Sequence, residues 1–149
     1  MTPWRSTTQG RRSAIGAFLV VALLVVGSVS ACGVLGNPLE GTKWKLTSWT
    51  VSSVDLATIT ITAAFDGGRI SGNSGVNTYG GTCSVGPGKA FSVGSLAVTE
   101  MAGPEPAMRS ETAYLTLLAQ AKSYAVAGGQ LTLYDAGGNE SLVFDSTGK

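Results

Sequence analysis

The sequence predicts a small, mainly β domain: an antiparallel barrel or sandwich with one helix packed on it or closing one end. Short segments of alternating polar and apolar residues recur between turn signals. The composition agrees, because the 149 residues include 21 glycines and only 13% charged residues, as is typical of short strands joined by tight turns. A single segment, from Pro104 to about Ala121, has helical periodicity instead.

Period-two alternation locates the strands. The clearest is Thr58–Phe65, in which isoleucine, alanine and phenylalanine take one face and threonine takes the other. Asp66-Gly67-Gly68 and Gly128-Gly129 are hairpin turn signals. The other strands are expected around Trp44 and Leu46 and at Arg69–Gly72, Tyr79–Val85, Ala90–Val93, Leu96–Val98, Ser123–Ala127, Gln130–Tyr134 and Ser141–Phe144.

The helix is expected to begin in Pro104-Glu105-Pro106, where the missing amide protons of proline cost nothing and an acid meets the helix dipole. Because Pro106 disfavours a helical conformation at Glu105, the regular helix is expected to start a residue or two later. Met108, Leu115 and Leu118 form its expected apolar stripe.

Residues 1–31 are predicted to be a signal peptide that is removed from the mature protein. A basic start containing Arg11-Arg12 precedes the apolar run Ala14–Val26. The following Val29-Ser30-Ala31-Cys32 resembles the lipobox of bacterial lipoproteins, in which cysteine receives a diacylglyceryl group and becomes residue one. An uncleaved membrane helix over Ala14–Ala31 is the alternative, but it is marginal against the roughly 20 apolar residues that a span needs.

The lipobox predicts anchoring at Cys32 on the extracytoplasmic face of the cell membrane, because two acyl chains hold a protein stably. The domain organisation is then a signal peptide at 1–31, a lipidated tether at 32–38 and one folded domain at 39–149. The paired arginines leave general secretion and twin-arginine export both open.

Composition limits the function of the folded domain. Histidine is absent, which removes the commonest general base and the commonest metal ligand. No paired carboxylates can be placed together, so we expect no enzyme, no cofactor and no metal site. Nucleic-acid binding is not expected either, because residues 32–149, without the basic leader, contain more acidic than basic residues.

Glu111 is the most informative polar residue, because it falls inside the apolar stripe of the helix. A buried carboxylate needs partners. We expect it to accept hydrogen bonds from backbone amides of the glycine-rich loop Gly72–Gly81 or to pair with Arg69; a proton-handling acid in a pocket is the functional alternative.

The loop Gly72–Gly81 is itself the candidate contact surface, through Asn73, Asn77 and Tyr79. A turn-rich connection whose polar groups are satisfied internally is the alternative. Cys83, the free thiol that remains once Cys32 is lipidated, is expected to be a small buried hydrophobe.

Several short blocks, in a fixed order, resemble the META domain family of HslJ-like proteins. They cover Leu39–Asp145, and each is weak alone. The blocks are Gly41-Thr42-x-Trp44-x-Leu46, Phe65-Asp66-Gly67-x-Arg69-Ile70-x-Gly72, Gly75-x-Asn77-x-Tyr79-x-Gly81, Thr99-x-Met101-Ala102-x-Pro104-Glu105, Met108-x-x-Glu111-x-x-Tyr114-Leu115 and Leu131-Thr132-Leu133-Tyr134-Asp135.

The resemblance implies a lipocalin-like antiparallel β-barrel of about eight strands with one inserted helix. Many relatives are small envelope lipoproteins, some linked to heat shock, novobiocin tolerance, secretion or motility, and the family provides no established enzymatic mechanism. Many relatives carry cysteines where this chain has Val76 and Gly103, so a disulfide role at those positions does not transfer.

These observations together predict a non-catalytic, stress-related binding or structural module of the cell envelope, with an envelope protein as a possible partner. The alternative is a lipocalin-like carrier of a small apolar ligand. The two differ in whether the barrel interior is filled by side chains or left open.

Overall fold

The computed structural model describes residues 36–51 and 55–149. The predicted signal peptide and Cys32 lie outside the described residues. Within the described ranges, no helix has both the length and the apolar character needed to cross a membrane. The strands and the α-helix are β1 Thr42–Trp49, β2 Thr62–Asp66, β3 Arg69–Asn73, β4 Thr78–Val85, β5 Phe91–Val98, α1 Glu105–Gln120, β6 Ser123–Ala127, β7 Gln130–Tyr134 and β8 Glu140–Gly148.

The strands form one antiparallel sheet in the order β5-β4-β3-β2-β1-β8-β7-β6. The sheet curls until the start of β5 meets the start of β6, where Ala90 and Ser123 form a bridge and Phe91 N–H donates to Lys122 O over 2.9 Å. Helix α1 connects these two edge strands and packs against β5 and β8. The predicted antiparallel, barrel-like fold with one inserted helix is confirmed.

Strand alternation places the core inside the curl. On β1, Trp44 and Leu46 are buried while Lys43 and Lys45 are exposed, as period two requires. Aromatic rings meet edge to face, among them Phe65 and Phe91 with centroids 6.3 Å apart. The side chains that fill the interior are mostly large and apolar: Trp44, Leu46, Ile61, Phe65, Ile70, Phe91, Tyr114, Leu118, Leu131, Leu133, Leu142 and Phe144.

The expected strand Thr58–Phe65 is wrong over its first half. Leu56–Thr58 forms a 3-10 turn capped by Asp55, whose carboxylate accepts a hydrogen bond from Ala57 N–H at 2.8 Å. Such a local bond competes with strand pairing, and β2 therefore begins only at Thr62. Ile61 still points into the core, as predicted, but it forms only an isolated bridge.

The two short strands expected at Ala90–Val93 and Leu96–Val98 are one continuous strand, β5. A register shift opposite it, between Gly81 and Cys83, lets β5 stay paired with β4 along its length. A bulge of this kind also increases the local bend. The sheet thus gains curvature without breaking a strand.

Gly72 lies where β2 and β3 approach most closely. A Cβ at this position would stand 2.0 Å from the carbonyl oxygen of Thr62, which is backbone and cannot rotate away. Gly80, on the neighbouring strand, has room: a Cβ there would make only ordinary contacts, the nearest at 3.6 Å from Ile70 O. Alanine substitutions at these two glycines therefore give a matched test of how closely the neighbouring strands pack.

Gly72→Ala is expected to lower the free energy of unfolding by about 2–3 kcal/mol, because the added methyl group forces β2 and β3 apart. Gly80→Ala is expected to be neutral or slightly stabilising, since alanine loses less backbone entropy than glycine on folding. Urea denaturation of both variants measures the difference. Equal stability of the two variants would contradict the close approach of β2 and β3.

Candidate functional site

Helix α1 buries a face that contains both polar and apolar residues. Its buried residues are Ser110, Glu111, Tyr114 and Leu118, while Met108 and Leu115 are only half-buried. Of the expected stripe, Leu118 is fully buried and the half-buried Leu115 packs against the core, whereas Met108 lines a pocket. The helix is turned so that the Glu111 carboxylate reaches the connection between β3 and β4.

Glu111 is 6% exposed and is held by that connection. Its Oε2 accepts hydrogen bonds from the Ser74 hydroxyl at 2.5 Å and from Asn77 N–H at 2.8 Å. Its Oε1 accepts one from Asn77 Nδ2 at 2.8 Å. Of the two arrangements expected from the sequence, the structure has the bonds to loop amides and not the pair with Arg69.

Asn77 extends the network to a third segment, the loop between β5 and α1. Its Oδ1 accepts hydrogen bonds from Met101 N–H at 2.7 Å and from the Thr99 hydroxyl at 2.9 Å, and its Nδ2 also donates to Met101 O at 3.2 Å. Glu111 and Asn77 thus join α1, the β3–β4 connection and the β5–α1 loop. We call Ser74, Asn77 and Glu111 the carboxylate cluster.

The carboxylate cluster keeps Glu111 ionised. Burial acts to raise the pKa of Glu111, but the hydrogen bonds from Ser74, Asn77 and the backbone of Val76 outweigh it and lower the pKa below its ordinary value. An acid held in this way does not exchange protons near neutral pH. This arrangement disfavours the proton-handling interpretation of Glu111 and favours a structural one.

The expected contact surface at Asn73, Asn77 and Tyr79 is not a surface. Asn77 is 1% exposed and Tyr79 is 4% exposed. The Tyr79 hydroxyl donates to Thr62 O at 3.0 Å and lies 2.6 Å from the hydroxyl of Tyr114. Asn73 is half-buried, and its side-chain oxygen accepts a hydrogen bond from Gly75 N–H at 2.8 Å. The predicted loop Gly72–Gly81 is instead the end of β3, the short connection 74–77 and the start of β4, and its buried polar side chains are satisfied internally.

Cys83 lies on β4 and is 8% exposed. Burial raises the pKa of its thiol to about 11. The thiol is therefore protonated and unreactive at neutral pH, because the thiolate is the nucleophilic form.

A pocket of about 460 Å³ opens directly beside the carboxylate cluster. Met101, which is 55% exposed, and the half-buried Met108 contribute to its apolar wall. Sequence reasoning missed this pocket, because residues on a loop and on a helix come together there and no spacing along the chain signals it. The lining residues are Asn77, Val98, Thr99, Glu100, Met101, Ala102, Met108 and Glu111.

Residues 36–51 and 55–149 contain no group of three or more histidine, cysteine, aspartate or glutamate side chains arranged for a metal ion. What the arrangement does provide is a buried anion, an adjoining amide and an open apolar pocket. These features define a small β-barrel module with one inserted helix.

The chain belongs to the META domain family. The family model for the META domain matches residues 37–148, which is the whole folded domain. The resemblance expected from the short sequence blocks is thereby confirmed. No curated protein shows significant similarity to the chain.

Solved structures support the same fold. An NMR structure of a protein from Burkholderia xenovorans is 30% identical, covers 74% of this chain and 85% of its own, and superposes with a TM-score of 0.63. A crystal structure of a DUF4847 family protein from Bacteroides vulgatus is 13% identical, covers 75% of this chain and 96% of its own, and has a TM-score of 0.54. The second likeness concerns the fold alone.

Val76 and Gly103, the two positions where many relatives carry cysteines, face each other. A Cβ on Gly103 would lie 2.7 Å from Val76 Cγ2 and 3.4 Å from Val76 Cβ. The Cβ separation is close to the roughly 3.5–4.5 Å of a disulfide. The branched side chain at 76 therefore requires a residue without a side chain at 103.

The lowered pKa of Glu111 gives a pH-dependent prediction. A carboxyl whose pKa is lower in the folded state stabilises the fold above the unfolded pKa of about 4.3, and this contribution is lost as the pH falls through the folded pKa. Glu111→Gln is expected to lower the free energy of unfolding by about 1–3 kcal/mol at pH 7, because it replaces a charged acceptor. Thermal melting from pH 7 to pH 3 should show the gap between wild type and variant narrowing.

Glu140→Gln is the control, because Glu140 is an exposed carboxylate at the start of β8. A Glu111→Gln gap that stays constant down to pH 3 would contradict the role assigned to the ionised carboxylate. Glu111→Ala, which leaves the donors of Ser74 and Asn77 without a partner, should cost more than Glu111→Gln, by a few kcal/mol in total.

The pairing of positions 76 and 103 is testable by restoring cysteines. The double variant V76C/G103C should form a disulfide in air and raise the free energy of unfolding by up to about 3 kcal/mol. Non-reducing mass spectrometry and thiol counting give the redox state. The single variant Val76→Cys is the control, and two titratable thiols at 76 and 103 in the folded double variant would show that the positions are not opposed.

Proposed function

We propose that this protein is a membrane-anchored lipoprotein on the extracytoplasmic face of the cell membrane, held by a diacylglyceryl group on Cys32. The observation that carries the proposal is the coincidence of a basic start, the apolar run Ala14–Val26 and Val29-Ser30-Ala31-Cys32 at its end. The tether of residues 32–38 reaches about 25 Å at most. A domain on such a tether works close to the membrane surface.

We further propose that the META domain is a non-catalytic binding or structural module of the envelope, acting on a partner protein under stress. The carboxylate cluster supports this, because Glu111 is committed to hydrogen bonds from Ser74 and Asn77. An acid used in this way stabilises the meeting of three segments and is not available to transfer protons.

A carrier of a small apolar ligand is the second candidate, and the filled interior weighs against it. Tyr114, Leu118 and Phe144 are fully buried where a carrier would need space, and the Tyr114 ring packs edge to face against Phe144 at 6.4 Å. A barrel of about eight strands is just wide enough for its own side chains to fill. The pockets described, of about 250–460 Å³, are lined by helix and loop residues and by Val98 at the end of β5.

The anchoring is tested by intact mass of the full-length gene product extracted from membranes of a bacterial host. We expect a chain that begins at Cys32 and carries a diacylglyceryl group. Cys32→Ser should abolish the lipid and leave the uncleaved precursor, because the thiol is the acceptor of the glyceryl group.

Cys83→Ser serves as the matched control and should be lipidated like the wild type. A wild-type chain that retains Arg11-Arg12 and lacks the lipid would contradict the proposal and favour an uncleaved membrane helix.

A further inference from the structure

The pocket beside the carboxylate cluster has no role in the proposal above. We propose that it binds an organic cation carried on an apolar body, of the alkylammonium or alkylguanidinium class. This site would belong to the folded domain itself and would not depend on lipidation of Cys32.

The walls of the pocket suit an apolar body. Val98, Met101, Ala102 and Met108 line it. The 55% exposure of the Met101 side chain stands out in the described residues, where most large apolar side chains are buried. Methionine is unbranched and polarisable, so it adapts to ligands of different shape. Both methionines outside the leader line this one pocket.

The backbone under the exposed methionine is fixed. Met101 N–H and Met101 O are both hydrogen-bonded to the side chain of Asn77, at 2.7 and 3.2 Å. The loop therefore presents the thioether from a rigid base, which lowers the entropy cost of binding.

The charge of the pocket suits a cation. Two of its lining residues are acidic: Glu100, which is exposed, and Glu111, which lies at the base. The hydrogen-bond donors to Glu111 are the neutral groups of Ser74 and Asn77, so its negative charge is solvated but not neutralised.

Arg109, the arginine of helix α1, pairs with a carboxylate outside this pocket. Among residues 36–51 and 55–149, the one salt bridge joins Arg109 to Glu105, with 3.4 Å between Nη1 and Oε1. Glu105 and Arg109 line the adjoining pocket, which shares Met108. A ligand cation over Glu100 and Glu111 would supply the positive charge that this site lacks, while its apolar body covers Met101 and Met108.

The test uses the full-length gene product from bacterial membranes in zwitterionic phosphatidylcholine nanodiscs, with methionine labelled at the ¹³C-methyl group. Met101 and Met108 then report on the pocket directly. We titrate n-butylammonium and, as the matched neutral probe, n-butanol. We expect saturable shifts of both methyl signals with n-butylammonium and an affinity for n-butanol that is about tenfold weaker. The affinity for n-butylammonium should also fall as salt rises to about 0.15 M.

Variants separate the two parts of the site. Glu100→Gln should weaken n-butylammonium binding about threefold, as for an exposed charge pair, and should leave n-butanol binding unchanged. Met101→Ala, which keeps the backbone bonds to Asn77, should weaken both probes, read at Met108. Glu140→Gln removes a carboxylate that does not line the pocket and should leave the affinity for both probes unchanged.

Equal affinity for n-butylammonium and n-butanol would overturn the proposal, because the pocket would then be apolar only. Shifts that do not saturate, or that Glu100→Gln leaves unaltered, would also overturn it. Failure of Cys32 lipidation in the mass experiment would leave these results unaffected, so the two proposals fail separately.

Discussion

The buried carboxylate of Glu111 is the interaction on which the rest of this domain depends. An ionised group with 6% exposure persists only if donors surround it, and those donors come from Ser74 and Asn77 in the β3–β4 connection. Because Asn77 in turn holds both backbone groups of Met101, one helix residue fixes two loops. This anchor, together with the packing of Tyr114 and Leu118 in the core, positions α1 against the sheet.

The helix also completes the barrel, because the sheet itself does not close along its whole length. The edge strands β5 and β6 meet near their starts, through Ala90–Ser123 and the bond from Phe91 to Lys122. Helix α1 begins shortly after β5 and ends shortly before β6. Tyr114 projects from it into the interior and packs against both Tyr79 and Phe144. The same helix therefore carries the polar anchor and an apolar plug, one turn apart.

Alternation and turn signals were sufficient to predict most of the fold. β6 and β7 have the predicted bounds. The helix α1 lies where the proline-rich start indicated, but it begins at Glu105 and not a residue or two later as expected. The predicted strand start at Thr58 was wrong because Asp55 caps a local turn there. The alternation of polar and apolar residues does not reveal such a competing hydrogen bond. The burial of Glu111 was predictable from helical periodicity, and that of Tyr79 from its period-two alternation with Gly81 and Cys83 on β4. The burial of Asn77 was not predictable in this way. The glycines around Asn77 indicate a turn, but its burial depends on the carboxylate of Glu111, which lies 34 residues away along the chain.

The contact between Val76 and Gly103 shows how the domain manages without a covalent link at this point. The resemblance to the META domain family implies cysteines at both positions in many relatives, where a disulfide would join the β3–β4 connection to the β5–α1 loop. Here the Val76 side chain fills the space left open by Gly103, and the adjacent Asn77 spans the same gap through its bonds to Thr99 and Met101. Hydrogen bonds and packing respond to pH and to ligands at the loop, whereas a disulfide responds to redox conditions.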